Sequence, residues 1–116
     1  MQVELLAYTR PDGTTPYARW FARLDVQAAR KVQTALLRVE LGNSSNIKWY
    51  SGIGELKIDW GPGYRVYLAR DGDRIIVLFG GGTKATQSKD IARAMALHAE
   101  FKARAGTQRK GDPELE

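Results

Sequence analysis

Tyr17, Trp20, Phe21 and Leu24 recur at the i, i+3, i+4, i+7 spacing of one helical face. Pro16 suits the first helical position, where a backbone N–H would have no partner anyway. Asp25 predicts the N-cap of a second helix, because its carboxylate can accept a free backbone N–H. Ala29, Val32, Leu36 and Val39 would line that helix's buried face, and Gly42 would stop it. The two helices meet at Leu24 and Asp25, which predicts a tight helical hairpin. Ahead of them, residues 3–8 read as a strand, and residues 9–15, with Pro11, Asp12 and Gly13, as a turn.

The second half of the chain changes period. Strands are expected at 54–59, 64–70 and 74–80, separated by Gly61-Pro62-Gly63 and by a two-residue hairpin turn at Asp71-Gly72. The continuous apolar run from Ile75 to Phe79 suits a central strand buried on both faces. Residues 43–46 form a polar loop, and 47–52 read as part loop and part extended. After a loop at 80–86, Thr86 or Ser88 would cap a last helix whose inner stripe is Ile91, Ala94, Met95, His98 and Phe101. From Gly106 on, Gly, Pro and charges dominate, so 106–116 is expected to be a disordered tail. The expected order is β-α-α-β-β-β-α. That is an α+β fold, with an N-terminal strand and an antiparallel meander packed against a helical hairpin and a C-terminal helix.

Composition narrows what such a domain can do. A chain of 116 residues is one domain, here residues 1–105. It has no cysteine, which excludes disulfides, cysteine–zinc sites and thiol catalysis. A single histidine, His98, argues against a histidine metal cluster or a serine–histidine triad, so no metal or cofactor is expected. No apolar run approaches the roughly 18 residues that span a membrane, and the N-terminus does not read as a signal peptide. A cytoplasmic protein with no membrane contact is the expectation. The net charge of +5 fits a polyanion or an acidic partner as well as a plain solvated basic surface.

The cations sit in two segments. The first, Glu55 to Arg70, carries Lys57 on one strand and Tyr64, Arg65 and Tyr67 at the start of the next. The second, Gly80 to Lys89, carries Lys84, Gln87 and Lys89. Cations interleaved with aromatics suit a phosphate backbone with stackable bases. The glycine run at 80–82 lacks the spacing of a nucleotide-triphosphate loop. The ordinary readings stand beside this one: Trp20 and Phe21 as core, His98 as core or surface, Lys57 as a solvated strand cation, and Arg65 in a structural ion pair with Asp59 or Glu55.

Several short motifs occur together in order: Leu41-Gly-Asn43, Gly54-Glu-Leu-Lys57, Gly61-Pro-Gly-Tyr-Arg-Val-Tyr67 and Gly80-Gly-Gly-Thr-Lys-Ala-Thr-Gln-Ser-Lys-Asp-Ile91. With them, over residues 3–104, the chain resembles the RelE/ParE superfamily of toxins from bacterial type II toxin–antitoxin systems, in its HigB-like "addiction module killer protein" branch. The resemblance implies a small α+β toxin neutralised by a cognate antitoxin, in this branch usually a helix-turn-helix protein. Many relatives enter the ribosome and cut mRNA without metal, through the RNA 2′-hydroxyl. Others poison DNA gyrase and cut nothing, and a noncatalytic nucleic-acid-binding module is a third possibility.

For an mRNA endonuclease the resemblance assigns Arg65 as phosphate clamp, Lys57 as transition-state stabiliser and Lys84 as the second basic position. Lys48, Trp49, Tyr64, Tyr67, Gln87 and Lys89 would bind RNA, with Trp49, Tyr64 and Tyr67 stacking bases. Two departures stand out. Glu55 occupies a position where some relatives carry a second cation, and residues 86–90 lack the Tyr or His that others place there.

Overall fold

A computed structural model describes residues 2–111, and the side chains of 2–105. Strand β4 (Tyr64–Asp71) organises the architecture. Successive side chains on a strand point to opposite faces. Val66 and Leu68 therefore enter one core, and Tyr67 and Ala69 another. The first core lies under α2 (Val26–Glu40), where Val32, Leu36 and Val39 meet Val66, Leu68, Ile76 and Leu78. The second lies under α3 (Gln87–Gly111), where Ala94 and Leu97 meet Tyr67, Val77 and Phe79. Burying both faces makes three layers and explains the apolar runs at 66–69 of β4 and 75–79 of β5 (Ile75–Gly82).

The sheet has five strands in the order β1-β5-β4-β3-β2. β1 (Glu4–Ala7) runs parallel to β5 at one edge, and β3 (Ile53–Ile58) and β2 (Ile47–Tyr50) complete an antiparallel meander. The fifth strand, β2, covers part of the segment read as part loop and part extended. Its partner β3 follows after Ser51 and Gly52, at φ +37° and +93°. Two positive φ values in a two-residue loop are what a type I′ hairpin turn requires, and glycine supplies one without strain. The turn expected at Asp71-Gly72 is longer than two residues: Asp71 pairs with Ile75, which leaves 72–74 in the loop.

The helices follow their sequence signals with small phase changes. Asp25 caps α2, its Oδ1 accepting from the Ala28 N–H at 2.8 Å. Ala28 is buried at the first turn, in place of the expected Ala29. At the other end, Gly42 and Asn43 donate back to the Val39 and Arg38 carbonyls, at 2.9 Å each, and close the helix. In α1 (Pro16–Ala22) no residue is fully buried, yet Tyr17, Trp20 and Phe21 pack against the first core together with Leu24 beyond its end. On α3 the buried positions are Ala94 and Leu97, flanked by the partly buried Ile91 and Phe101, while Met95 is exposed. α3 continues to Gly111, past the Gly106 from which a tail was expected, and residues 112–116 of that tail lie outside the described residues.

Neither Thr86 nor Ser88 acts as a simple cap for α3. A single 3-10 turn (Lys84–Thr86) leads into the helix, capped by Thr83, and the Thr86 hydroxyl donates to Asp90 one turn further on. Asp90 lies directly over Gly82, whose missing Cβ is the space the carboxylate fills. Gly81 likewise leaves room for the Trp20 ring, which lies 2.5–2.6 Å from where a Cβ would stand. The glycine run is therefore a packing surface shared by α1 and α3.

Candidate functional site

Register brings the predicted cations together. Lys57 on β3 is the direct partner of Arg65 on β4, and Arg65 is the partner of Gly82 on β5. Lys84 follows two residues after Gly82, with its N–H 3.4 Å from the Pro62 carbonyl, so the 61–63 turn and the 3-10 turn touch. Three strands and two turns thus hold Lys57, Arg65 and Lys84 at one end of the α3 face.

These cations differ in accessibility. Lys57 and Lys84 are exposed, whereas Arg65 is only 5% exposed. Arg65 Nη1 donates to the Gly63 carbonyl at 2.6 Å, which ties the guanidinium to the turn. Its Nε lies 3.8 Å from Glu55 Oε2, is buried and has no hydrogen-bond partner among the described residues. A buried donor left unpaired costs about 1–3 kcal/mol. Part of the fork assigned to phosphate is therefore already engaged by the protein.

Glu55 is the residue that the sequence undervalues. It is 4% exposed and sits two residues before Lys57, on the same face of β3. Its carboxylate accepts from the Tyr67 hydroxyl at 3.0 Å and from Gln87 Nε2 at 2.9 and 3.1 Å. Burial first, and then the neighbouring Glu55 carboxylate, raise the pKa of the Tyr67 phenol, so it stays a proton donor. One buried carboxylate thereby fastens β3 to β4 and to the first turn of α3.

The stacking roles fare differently. Tyr67 is 1% exposed and has no free ring face for a base, and Gln87 is engaged by Glu55. Tyr64 lies on the opposite face of the sheet, stacked on Trp60 at 6.2 Å between ring centroids and packed against the first core. Trp49 pairs with Gly54 across β2 and β3, which also places it on the face opposite Glu55 and Lys57. It is exposed, with the Arg70 guanidinium 5.3 Å from its ring. Lys89 is exposed on the first turn of α3. Lys48, the β2 partner of Glu55, is exposed beside Lys57 and lies over the Tyr50 ring at 5.1 Å.

A groove of about 770 Å³ opens where β2 begins at Ile47 and β3 runs on past it. Arg30, Lys31 and Arg38 of α2 line it together with Lys48 and Lys57. The carboxylates in its lining are Glu55 and Asp59, and Glu55 already has protein donors. The excess of cations makes the groove attractive to a polyanion. Arg30, Lys31 and Arg38 lie on the polar side of an amphipathic helix, and nothing local in the sequence singles them out. Their convergence with Lys57 needed the tertiary fold.

Among the described residues, no cluster of three or more His, Cys, Asp or Glu could hold a metal ion, and no helix is long and apolar enough to cross a membrane. No family model matches the chain. Over 90 residues the chain is 39% identical to an uncharacterized protein of Haemophilus influenzae, a match that covers 76% of this chain and 91% of that protein. Identity at this level over most of both chains places this chain in the same family as the Haemophilus influenzae protein.

Proposed function

We propose that the protein is a toxin of a type II toxin–antitoxin system that cuts mRNA on the ribosome. The observation that carries this reading is the exposed Lys57, set between the cationic groove and the buried Glu55–Arg65 pair. RNA supplies its own nucleophile. The 2′-oxygen attacks the adjacent phosphorus, the bond to the 5′-oxygen breaks, and a 2′,3′-cyclic phosphate and a 5′-hydroxyl result. Such a step needs an acceptor for the 2′ proton, positive charge for the phosphorane oxygens and a donor for the leaving oxygen.

In this reading Lys57 stabilises the developing charge, and Glu55, beside it on the same strand face, accepts the 2′ proton. A carboxylate offers about four acceptor positions, so three hydrogen bonds from the protein leave room for one more. Lys84, across the turn, gives a proton to the leaving 5′-oxygen. Arg65 holds Glu55 and the 61–63 turn in place, and its contribution to phosphate is electrostatic. The cations of the groove hold the flanking backbone. A cognate antitoxin of helix-turn-helix type would neutralise the protein, and the ribosome would present the message.

A brief induction in a bacterial host, followed by mapping of RNA 5′-hydroxyl ends, tests the reading. New ends that appear with growth arrest support it. Growth arrest with intact messages and broken DNA would support gyrase poisoning in its place. The near-complete burial of Arg65 favours a further reading, a noncatalytic nucleic-acid-binding module. Harmless expression combined with RNA binding would support that one.

A further inference from the structure

A second concavity, of about 390 Å³, lies beyond the Tyr67 ring, between α1 and α3. Its origin is topological. β1 ends at Ala7, paired with Leu78, so among the described residues the outer edge of β5 from residue 79 to 82 has no strand beside it. Gly80 contributes no side chain there, and a Cβ built on it would meet nothing within 4 Å. Phe79, Ala94 and Leu97 give the concavity an apolar lining.

Arginines surround it. Arg10 is engaged by Glu100, at 3.1 Å, and Arg93 lies 3.9 Å from Asp90. Arg19 and Arg23 form no ion pair among the described residues, and both are exposed. They stand at the C-terminal end of α1, where a cation complements the helix dipole, but that effect is worth under about 1 kcal/mol at an exposed site. Two unpaired arginines beside an apolar floor and an open strand edge form a recognisable combination.

We propose that this edge binds an extended polypeptide segment in which acidic residues alternate with apolar ones. The segment would lie along residues 79–82 as an added strand, with main-chain hydrogen bonds giving affinity and alternate side chains giving specificity. Its apolar residues would enter over Phe79 and Leu97, and its carboxylates would face Arg19 and Arg23. A peptide fits better than RNA. The Trp20 ring is spent on Gly81, and Phe79 packs edge-on against Tyr8 and Phe101, so neither ring is free to stack on a base. The site is separate from the Lys57 groove, and the proposal does not depend on RNA cleavage.

Fluorescence anisotropy with the full chain tests it, using three labelled probes: a decapeptide alternating Glu and Val, one alternating Lys and Val, and a single-stranded RNA decamer. The Glu-Val peptide is expected to bind with an affinity that falls as salt rises, and the Lys-Val peptide is expected not to bind. The double variant Arg19→Glu/Arg23→Glu should weaken the Glu-Val peptide about tenfold or more, and Lys57→Ala should leave its binding unchanged. Hydrogen exchange at residues 79–82 should slow when the peptide is added. Arg93→Glu, a single change at an exposed position, gives the same reading if the double variant fails to fold. The proposal is overturned if the Glu-Val peptide does not bind, or if its binding ignores the arginine changes. It is equally overturned if exchange at 79–82 is unaffected, or if the arginine variants weaken RNA binding and leave the peptide untouched.

Discussion

Tyr67 and Glu55 face each other across β4 and β3, and the Tyr67 hydroxyl donates to the Glu55 carboxylate at 3.0 Å beneath α3. Neither side chain reaches solvent to any extent. Their bond joins the apolar core under α3 to the charged end that carries Lys57. Tyr67→Phe removes one donor from a buried carboxylate and is expected to cost about 1–3 kcal/mol. Urea denaturation should show a lower midpoint with an unchanged slope. A stability equal to wild type would mean that Glu55 does not rely on this bond.

Glu55→Leu tests the same network from the other side. It removes the acceptor for Tyr67 and Gln87 and the counter-charge nearest to Arg65. Breaking a buried pair by removing one partner typically costs about 3–5 kcal/mol. The separation of 3.8 Å puts this pair at the lower end of that range. The double variant Glu55→Leu/Arg65→Met should recover part of the loss, because the stranded charge is gone. Thermal melts of the two proteins make the comparison.

Much of this architecture was legible in the chain. The helical hairpin, Asp25 as a cap and Gly42 as a stop follow from local chemistry, and so do β1, β3, β4 and β5. β2 was harder, because Lys48, Trp49 and Tyr50 do not alternate cleanly and Ser51-Gly52 is not a standard turn pair. The α3 stripe was read with Met95 on its inner side, and Leu97 takes that place. Its alanines, Ala92, Ala94, Ala96 and Ala99, leave the apolar face weakly marked. The candidate site was legible only as a set of cations. That Arg65 and Tyr67 are buried depends on cross-strand register and on α3 lying over them, which no local pattern reports. Glu55 looked like a departure because its donors lie 12 and 32 residues away.

Gly82→Ala should be costly although the residue carries no side chain. A methyl group there would occupy the space of the Asp90 carboxylate, which is 8% exposed and bonded to Thr86. Overpacking of this kind costs about 1–3 kcal/mol. Gly81→Ala, which meets the Trp20 ring, should cost a similar amount and loosen α1. Calorimetry should place both variants several degrees below wild type.

Two groups should shape stability in acid. The His98 pKa is lowered by burial and then by Lys102, so on unfolding the imidazole gains affinity for a proton. Stability is expected to fall as pH drops through about 6.5. Hydrogen bonds from Arg10 and Tyr8 lower the Glu100 pKa, so here too the unfolded chain binds the proton more tightly. A second decline is expected as pH falls through the ordinary carboxylate range toward the depressed value. His98→Gln should flatten the first decline and Glu100→Gln the second, as read by denaturation midpoints across pH. A stability that rises on acidification in either window would contradict the assignment.

Lys57 is exposed and pairs with Arg65 across the sheet, at the centre of the proposed cleavage site. Lys57→Ala should fold with stability within about 0.5 kcal/mol of wild type, as surface substitutions usually do. Sequencing of RNA 5′-hydroxyl ends after a short induction, with wild type and Lys57→Ala side by side, tests the claim most directly. Wild type is expected to give abundant new ends, and the variant to lose them together with the growth arrest. Toxicity without new ends, or equal cleavage by the folded variant, would contradict it.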